Sequence, residues 1–159
     1  MKEIKTRIKS VESTKQITKA MELVSSSKFR KAKERAESAR PYFNTLYNTV
    51  QDIAKNTSNS RNVFLKERKV NNVCYIVIAG DRGLAGGYNS NILKAVIAHN
   101  KLGTGKVIPV GKKAKESLSK RGYEVIDYIE SVEKCVYEDA NRVAQAAMEA
   151  YKNGEVDEV

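Results

Sequence analysis

The sequence has no tryptophan, one histidine, two cysteines and two prolines in 159 residues. Each shortage excludes something. His99 is the sole imidazole and Cys74 and Cys135 the only thiols, so no catalytic triad and no four-ligand zinc set can be assembled. The Asp and Glu residues are scattered at helix-surface spacing, and no acid–base pair stands out among them. An enzyme acting on its own, with a bound metal or cofactor, is therefore not expected. The cysteines do not form a CxxC pair; both lie in apolar stretches and read as buried, reduced thiols of an intracellular protein. Long apolar runs are missing too. The longest is residues 73–79, far short of the roughly 20 a membrane-spanning helix needs, so no direct membrane insertion is expected. The charged N-terminus lacks the apolar core of a signal peptide, which leaves the sequon at Asn56-Thr-Ser58 without meaning.

Glycine is absent from the whole first half: all nine lie at Gly80 or later. The charge divides at the same place. Residues 1–56 hold 13 Lys/Arg against 6 Asp/Glu, residues 57–79 hold 4 against 1, and residues 80–159 hold 12 of each. The net charge of +10 is therefore carried entirely before Gly80. Such a basic face suits solvent, a nucleic acid or an acidic protein surface, the last with Lys15, Lys19, Lys28, Arg30 and Lys31 as complementary charges. A nucleic acid is disfavoured, because Phe29 is the only aromatic before Tyr42 and stacking platforms are lacking.

What is present in residues 1–40 is Lys, Glu, Ala, Arg and Ser without Gly or Pro, a composition that favours helix. Ile4, Ile8, Val11, Ile17, Met21 and Val24 form a narrow stripe, closer to a coiled-coil seam than to a broad globular face. Ala32, Ala36 and Ala39 continue it. The spacing slips between Val11 and Ile17, with Thr14 as the intermediate, as at a heptad break. Pro41 is expected to kink or end the helix, which resumes with Phe43, Leu46, Tyr47, Val50 and Ile53 on one side. The predicted organisation is a long basic helix over 1–56, a polar linker over 57–69 and an incomplete α/β domain over 70–159. Within that domain the pattern predicts strands at 70–79, 106–110 and 124–129. Helices are predicted at 88–101, at 112–121 with Gly122 as cap, and at 138–152 closed by Gly154. Alternating strands and helices imply a mainly parallel sheet in a Rossmann-like α/β sandwich. Residues 155–159 look like the lead-in to another strand.

Gly80-Asp-Arg-Gly-Leu-Ala-Gly-Gly-Tyr-Asn89 joins a strand to a helix, where phosphate-binding loops sit. The spacing is neither GxGxxG nor a P-loop. A demanding strand-to-helix turn is the plainer reading, and a nucleotide-binding α/β domain using residues 80–87 is the alternative. Asp81 and Arg82 would pair locally or meet a partner.

Ile4-Lys-Thr-Arg-Ile8, Ser10-Val11, Thr14-Lys-Gln-Ile-Thr-Lys-Ala-Met21, Ser27-Lys-Phe-Arg-Lys-Ala32 and Ala39-Arg-Pro-Tyr42, together with the Gly80–Asn89 motif, resemble the F-type ATP synthase gamma subunit family over essentially the whole chain. Ala85 stands where many members carry Cys. The resemblance implies a non-catalytic central rotor shaft of a proton-translocating complex, coupling c-ring rotation to the catalytic beta subunits. It implies the alpha and beta subunits of the F1 ring, the epsilon subunit and the c-ring as partners. It also implies a peripheral position on the cytoplasmic face of a bacterial inner membrane. Partner contacts would fall on Lys19, Met21, Lys28, Arg30, Lys31, Asp81 and Arg82. Family members continue into a C-terminal helix that pairs with the N-terminal one. The resemblance therefore implies an N-terminal fragment, whose seam of Ile4, Ile8, Val11, Ile17, Met21 and Val24 would self-associate in isolation.

Overall fold

A computed structural model describes residues 1–57, 62–100 and 105–159, in two compact units, Met1–Ser60 and Arg61–Val159. The first is one helix, α1 (Lys2–Asn56), of 55 residues, about 82 Å long at 1.5 Å per residue. Pro41 lies inside it and does not end it. Proline removes a single hydrogen bond and the flanking residues are strong helix formers. The hydroxyl of Thr45 donates to the Pro41 carbonyl at 3.0 Å. No residue of α1 is buried.

The second unit is α/β. Three strands, β1 (Cys74–Ile78), β2 (Lys106–Val110) and β3 (Glu124–Val125), form a parallel sheet in the order β1-β2-β3. Three helices pack on it: α2 (Tyr88–His99), α3 (Lys112–Ser119) and α4 (Tyr137–Lys152). One face of the sheet is closed by α2 and α3, through Val77, Val107, Leu93, Ala114 and Leu118. The other is closed by α4, through Cys74, Ile108, Val110, Val143, Ala147 and Ala150. Right-handed crossovers account for this division. The chain steps β1 to β2 to β3 in one direction, which places α2 and α3 on one face. It then returns through α4, on the other face, to the far edge of β1, where Glu158 forms a parallel bridge with Val73. The lead-in expected at 155–159 is that bridge.

Two strands are shorter than expected. β3 stops at Val125 instead of reaching residue 129. The β3-facing carbonyls of β2 belong to Val107 and Pro109, which accept from Ile126 and Ile129 at 3.1 and 2.9 Å. Pro109 has no N–H to offer on that side, so the ladder lapses, and only an isolated bridge joins Val110 to Ile129. β1 begins at Cys74 rather than residue 70 because the backbone N–H groups of Asn71 and Asn72 donate to the Asp157 carboxylate, both at 3.0 Å.

Two of the helices end at glycine. After α4, Gly154 (φ +75°) lets its own N–H reach Tyr151 and that of Glu155 reach Ala150, a Schellman closure. Gly122 ends α3 the same way. Gly111 (φ +103°) has a different constraint: a Cβ there would strike the Ala79 carbonyl oxygen and lie 2.9 Å from Val132. Of the stretch expected as a linker, residues 58–61 lie outside the described residues, as does the Lys101 end of the helix expected at 88–101. Residues 63–65 form a short 3-10 turn. Phe64 stacks on Tyr151 with centroids 5.6 Å apart, and the Arg68 guanidinium sits 3.9 Å above the same ring.

The cysteines part company. Cys74 is buried, and burial pushes its thiol up to about 11, so it stays protonated. Cys135 is exposed, contrary to the sequence expectation. Its apolar neighbours belong to the turn before α4, where its N–H bonds to Val132 at 3.3 Å, and not to a strand.

Candidate functional site

Two surfaces carry the residues singled out in the sequence. The first is α1. Ile4, Ile8 and Val11 share one face of the helix and Ile17, Met21 and Val24 another, displaced by the slip in spacing between Val11 and Ile17, and each is between 55% and 63% exposed. Fully burying such a side chain is worth about 1.5–3 kcal/mol, so this surface carries much apolar area that the unit itself does not cover. It persists to the end of the helix through Phe43, Leu46, Val50 and Ile53, all exposed, with Phe43 and Tyr47 stacked 5.9 Å apart. Between these apolar stretches lie Ala32, Ala36 and Ala39, where a partner helix can approach most closely.

At the break in the stripe, Val11, Thr14, Lys15, Thr18, Lys19 and Glu22 line a shallow depression of about 570 Å³. The hydroxyls of Thr14 and Thr18 donate to the carbonyls of Ser10 and Thr14, at 3.0 and 2.9 Å. Their hydrogen-bonding capacity is turned onto the helix, and what they offer outward is largely methyl. Lys19 and Lys15 are thus cations at the rim of this depression, with Glu22 at its end. Arg30 lies 3.9 Å from Glu34 across one helical turn, and both side chains are well exposed. Such a pair contributes a few tenths of a kcal/mol and leaves the guanidinium free to exchange partners. Lys28 and Lys31 complete the basic set on the same exposed helix.

The second surface is the turn between β1 and α2. Its base is pinned on two sides. The Asn89 side chain accepts from the Gly80 N–H at 2.8 Å and donates to the Arg82 carbonyl at 3.2 Å. The Asp81 carboxylate accepts from the Ser131 hydroxyl at 2.7 Å and the Val132 N–H at 3.1 Å. Partial burial pushes the Asp81 carboxyl up. The hydrogen bonds from Ser131, Val132, Lys112 and Glu133 outweigh it and hold the group below the usual carboxylate range. Asp81 is therefore an internal clamp joining this turn to the segment before α4, while Arg82 is exposed. The tip beyond the clamps holds Leu84, a non-glycine residue at φ +61° and fully exposed. Left-handed backbone of this kind is uncommon at a residue with a side chain and costs about 1–2 kcal/mol.

The structure thus gives the neighbours Asp81 and Arg82 different places, the first clamped to Ser131 and Val132 and the second exposed; the α1 residues belong to the other unit. Two contributors escaped the sequence reading. Asn89 closed the motif, but nothing in the pattern showed that its amide spans the loop. Ser131 lies 50 residues from Asp81 and gave no local signal. For a nucleotide, the loop has one donor fewer than its glycines suggest, since the Gly80 N–H is taken by Asn89. Among the described residues, no group of three or more His, Cys, Asp or Glu is placed to hold a metal ion. Among them, too, no helix is long and apolar enough to cross a membrane.

The family described as ATP synthase matches residues 1–159. The "ATP synthase gamma chain" of Alkaliphilus metalliredigens is 45% identical over 161 residues, covering 100% of this chain and 56% of the relative. That of Ruminococcus albus is 46% identical over 165 residues, covering 100% and 57%. The "ATP synthase gamma chain, sodium ion specific" of Acetobacterium woodii is 43% identical over 161 residues, covering 100% and 53%. The chain spans about half the length of the curated relatives it matches.

Proposed function

The chain belongs to the ATP synthase gamma-chain family, and on that premise we propose that it forms part of the central rotor shaft of a rotary ATP synthase. It acts as a cam and contributes no catalytic group. Proton flow turns the c-ring, the α/β unit rides on it with the epsilon subunit, and α1 reaches into the ring of alpha and beta subunits. The complex works on the cytoplasmic face of a bacterial inner membrane. The observation that carries the reading is α1 itself, 55 residues without one buried side chain, with large apolar residues exposed along its length. Such a helix is built to be enclosed by other subunits. The relative described as sodium ion specific is similar at much the same identity, which supports placing ion choice outside this part of the complex.

Lys19, Met21, Lys28, Arg30 and Lys31 on α1, with Arg82 on the turn, face acidic surface of the ring; Asp81 serves by holding that turn. Exposed ion pairs of about 0–1 kcal/mol each suit a shaft that must release each contact as it turns. The test is co-sedimentation of this chain with a purified ring of alpha and beta subunits, with and without Lys19→Glu, Lys28→Glu, Arg30→Glu and Lys31→Glu together. Salt-sensitive binding that the reversal removes is the expected result. Equal binding by the reversed chain would sink the reading. Without a ring, the seam of α1 drives self-association. A monomer at all concentrations in the ultracentrifuge, with α1 protected from exchange, would contradict that.

A further inference from the structure

The segment that leaves α1 is fastened to one place in the α/β unit. α1 ends at Asn56 and β1 starts at Cys74. Within this chain, the backbone path from the sheet to α1 runs through the residues between them. Loose chain absorbs a turn in its soft φ and ψ angles. The described part of this segment is held instead. The Asn62 side chain accepts from the Phe64 N–H at 3.0 Å and the Asn62 carbonyl from the Leu65 N–H at 3.1 Å, which closes the 3-10 turn. The Phe64 ring then stacks on Tyr151, in the last turn of α4.

Arg68 makes the firmest of these attachments. Between Asn62 and Asn72 it alone is not exposed, although Lys66, Glu67 and Lys69 lie beside it. One guanidinium nitrogen donates to the Tyr151 carbonyl at 2.8 Å and lies 3.4 Å from that of Val156. A cation at a helix C-terminus is favoured by the helix dipole. The same flat group sits over the Tyr151 ring, a contact that strengthens as water is excluded. Asp157, held below its ordinary carboxyl range by the Asn72 and Asn71 N–H groups, is lowered further by the Arg68 charge. One side chain thus engages a carbonyl, an aromatic face and a nearby carboxylate, all within residues 151–157.

We propose that Arg68 is a torsional anchor of the shaft. It is the positioning residue that fastens the segment leaving α1 to the end of α4, so that a turn of the α/β unit is delivered to α1. This role rests on the reading of the chain as part of a rotor shaft. Without the anchor the segment would peel from α4 and take up the turn itself.

The first measurement uses the chain alone, with amide exchange read residue by residue. Arg68→Ala should speed exchange at Phe64 and Leu65 about five-fold or more, while the Ala79 amide, bonded to Val110, keeps its protection. Arg68→Lys, which keeps a cation without the flat fork, should fall between. The second measurement uses a rotary complex that carries this chain, with the alpha and beta subunits fixed to a surface and a bead on the α/β unit. The angular fluctuation of the bead gives the torsional stiffness of the shaft. Arg68→Ala should roughly halve that stiffness, because a peeled segment adds soft dihedrals in series, and Arg68→Lys should restore part of it. Unchanged exchange at Phe64 and Leu65 would overturn the anchor. Faster exchange with unchanged stiffness would make Arg68 a local packing residue and overturn the torsional role. An unsubstituted chain that binds no alpha and beta subunits would fail the shaft reading itself, and the torsional role with it.

Discussion

Ile8 and Ile108 carry the same side chain, and one is 59% exposed while the other is fully buried. The contrast extends to the units that hold them. The α/β unit closes a core on each face of its sheet with residues from its own helices. The helix α1 has local order, threonine hydroxyls folded onto carbonyls and pairs one turn apart such as Arg30–Glu34 and Lys33–Glu37, but no core. Helical propensity and such pairs supply only tenths of a kcal/mol per residue. In proteins, most helix stability comes from packing of an apolar face. One unit is held by the side chains it buries, whereas α1 buries none of its own.

Substitutions separate these two regimes. The largest effect is expected for Gly111→Ala, whose Cβ would overlap the Ala79 carbonyl oxygen at a backbone angle suited to glycine. A loss of about 4 kcal/mol from the α/β unit, with α1 helicity by circular dichroism unchanged, would show the units to be independent. Ile108→Ala should cost the same unit about 3 kcal/mol, measured by chemical denaturation. A pH effect comes next. Hydrogen bonds from Asn72 and then Asn71 hold the Asp157 carboxyl below its ordinary range. A depressed carboxyl stabilises above its unfolded pKa of about 3.9, and that contribution is lost as pH falls through the folded value. Acidification below about pH 4 should therefore speed exchange of the Cys74 amide, which Glu158 holds, and Asp157→Asn should flatten that dependence. The smallest effect has the opposite sign. Ile8→Ala should stabilise the unpartnered helix by about 0.4 kcal/mol, because alanine is the better helix former. The same change should weaken any complex that buries Ile8. A loss in the free chain as large as that of Ile108→Ala would erase the comparison.

Much of the fold was legible because its signals are local. The run of residues 2–56 without glycine, the β-branched 73–79 and the glycines closing α3 and α4 each act within a turn or a strand. The order of strands and helices then specified the parallel sheet. What was not legible depends on distant pairs. The early end of β3 follows from Pro109, 16 residues before Val125, and is visible only once β2 and β3 are side by side. The late start of β1 follows from Asp157, and the inward role of Asp81 from Ser131. Cys135 was misjudged because apolar neighbours in sequence do not make a core in space. Pro41 does not end the helix, since one missing hydrogen bond is small within 55 residues. The helix α1 itself was legible, because its composition favours helix over the whole run.

The two clamps on the β1–α2 turn have a kinetic consequence. Asn89 and Asp81 fix the chain on either side of Arg82, so the turn reaches an encounter already ordered. A partner meeting its tip would need no conformational search of the clamped base. The rate of association there should follow orientation and long-range charge, falling with ionic strength. Removing the Asn89 amide should make that rate depend on loop closure instead.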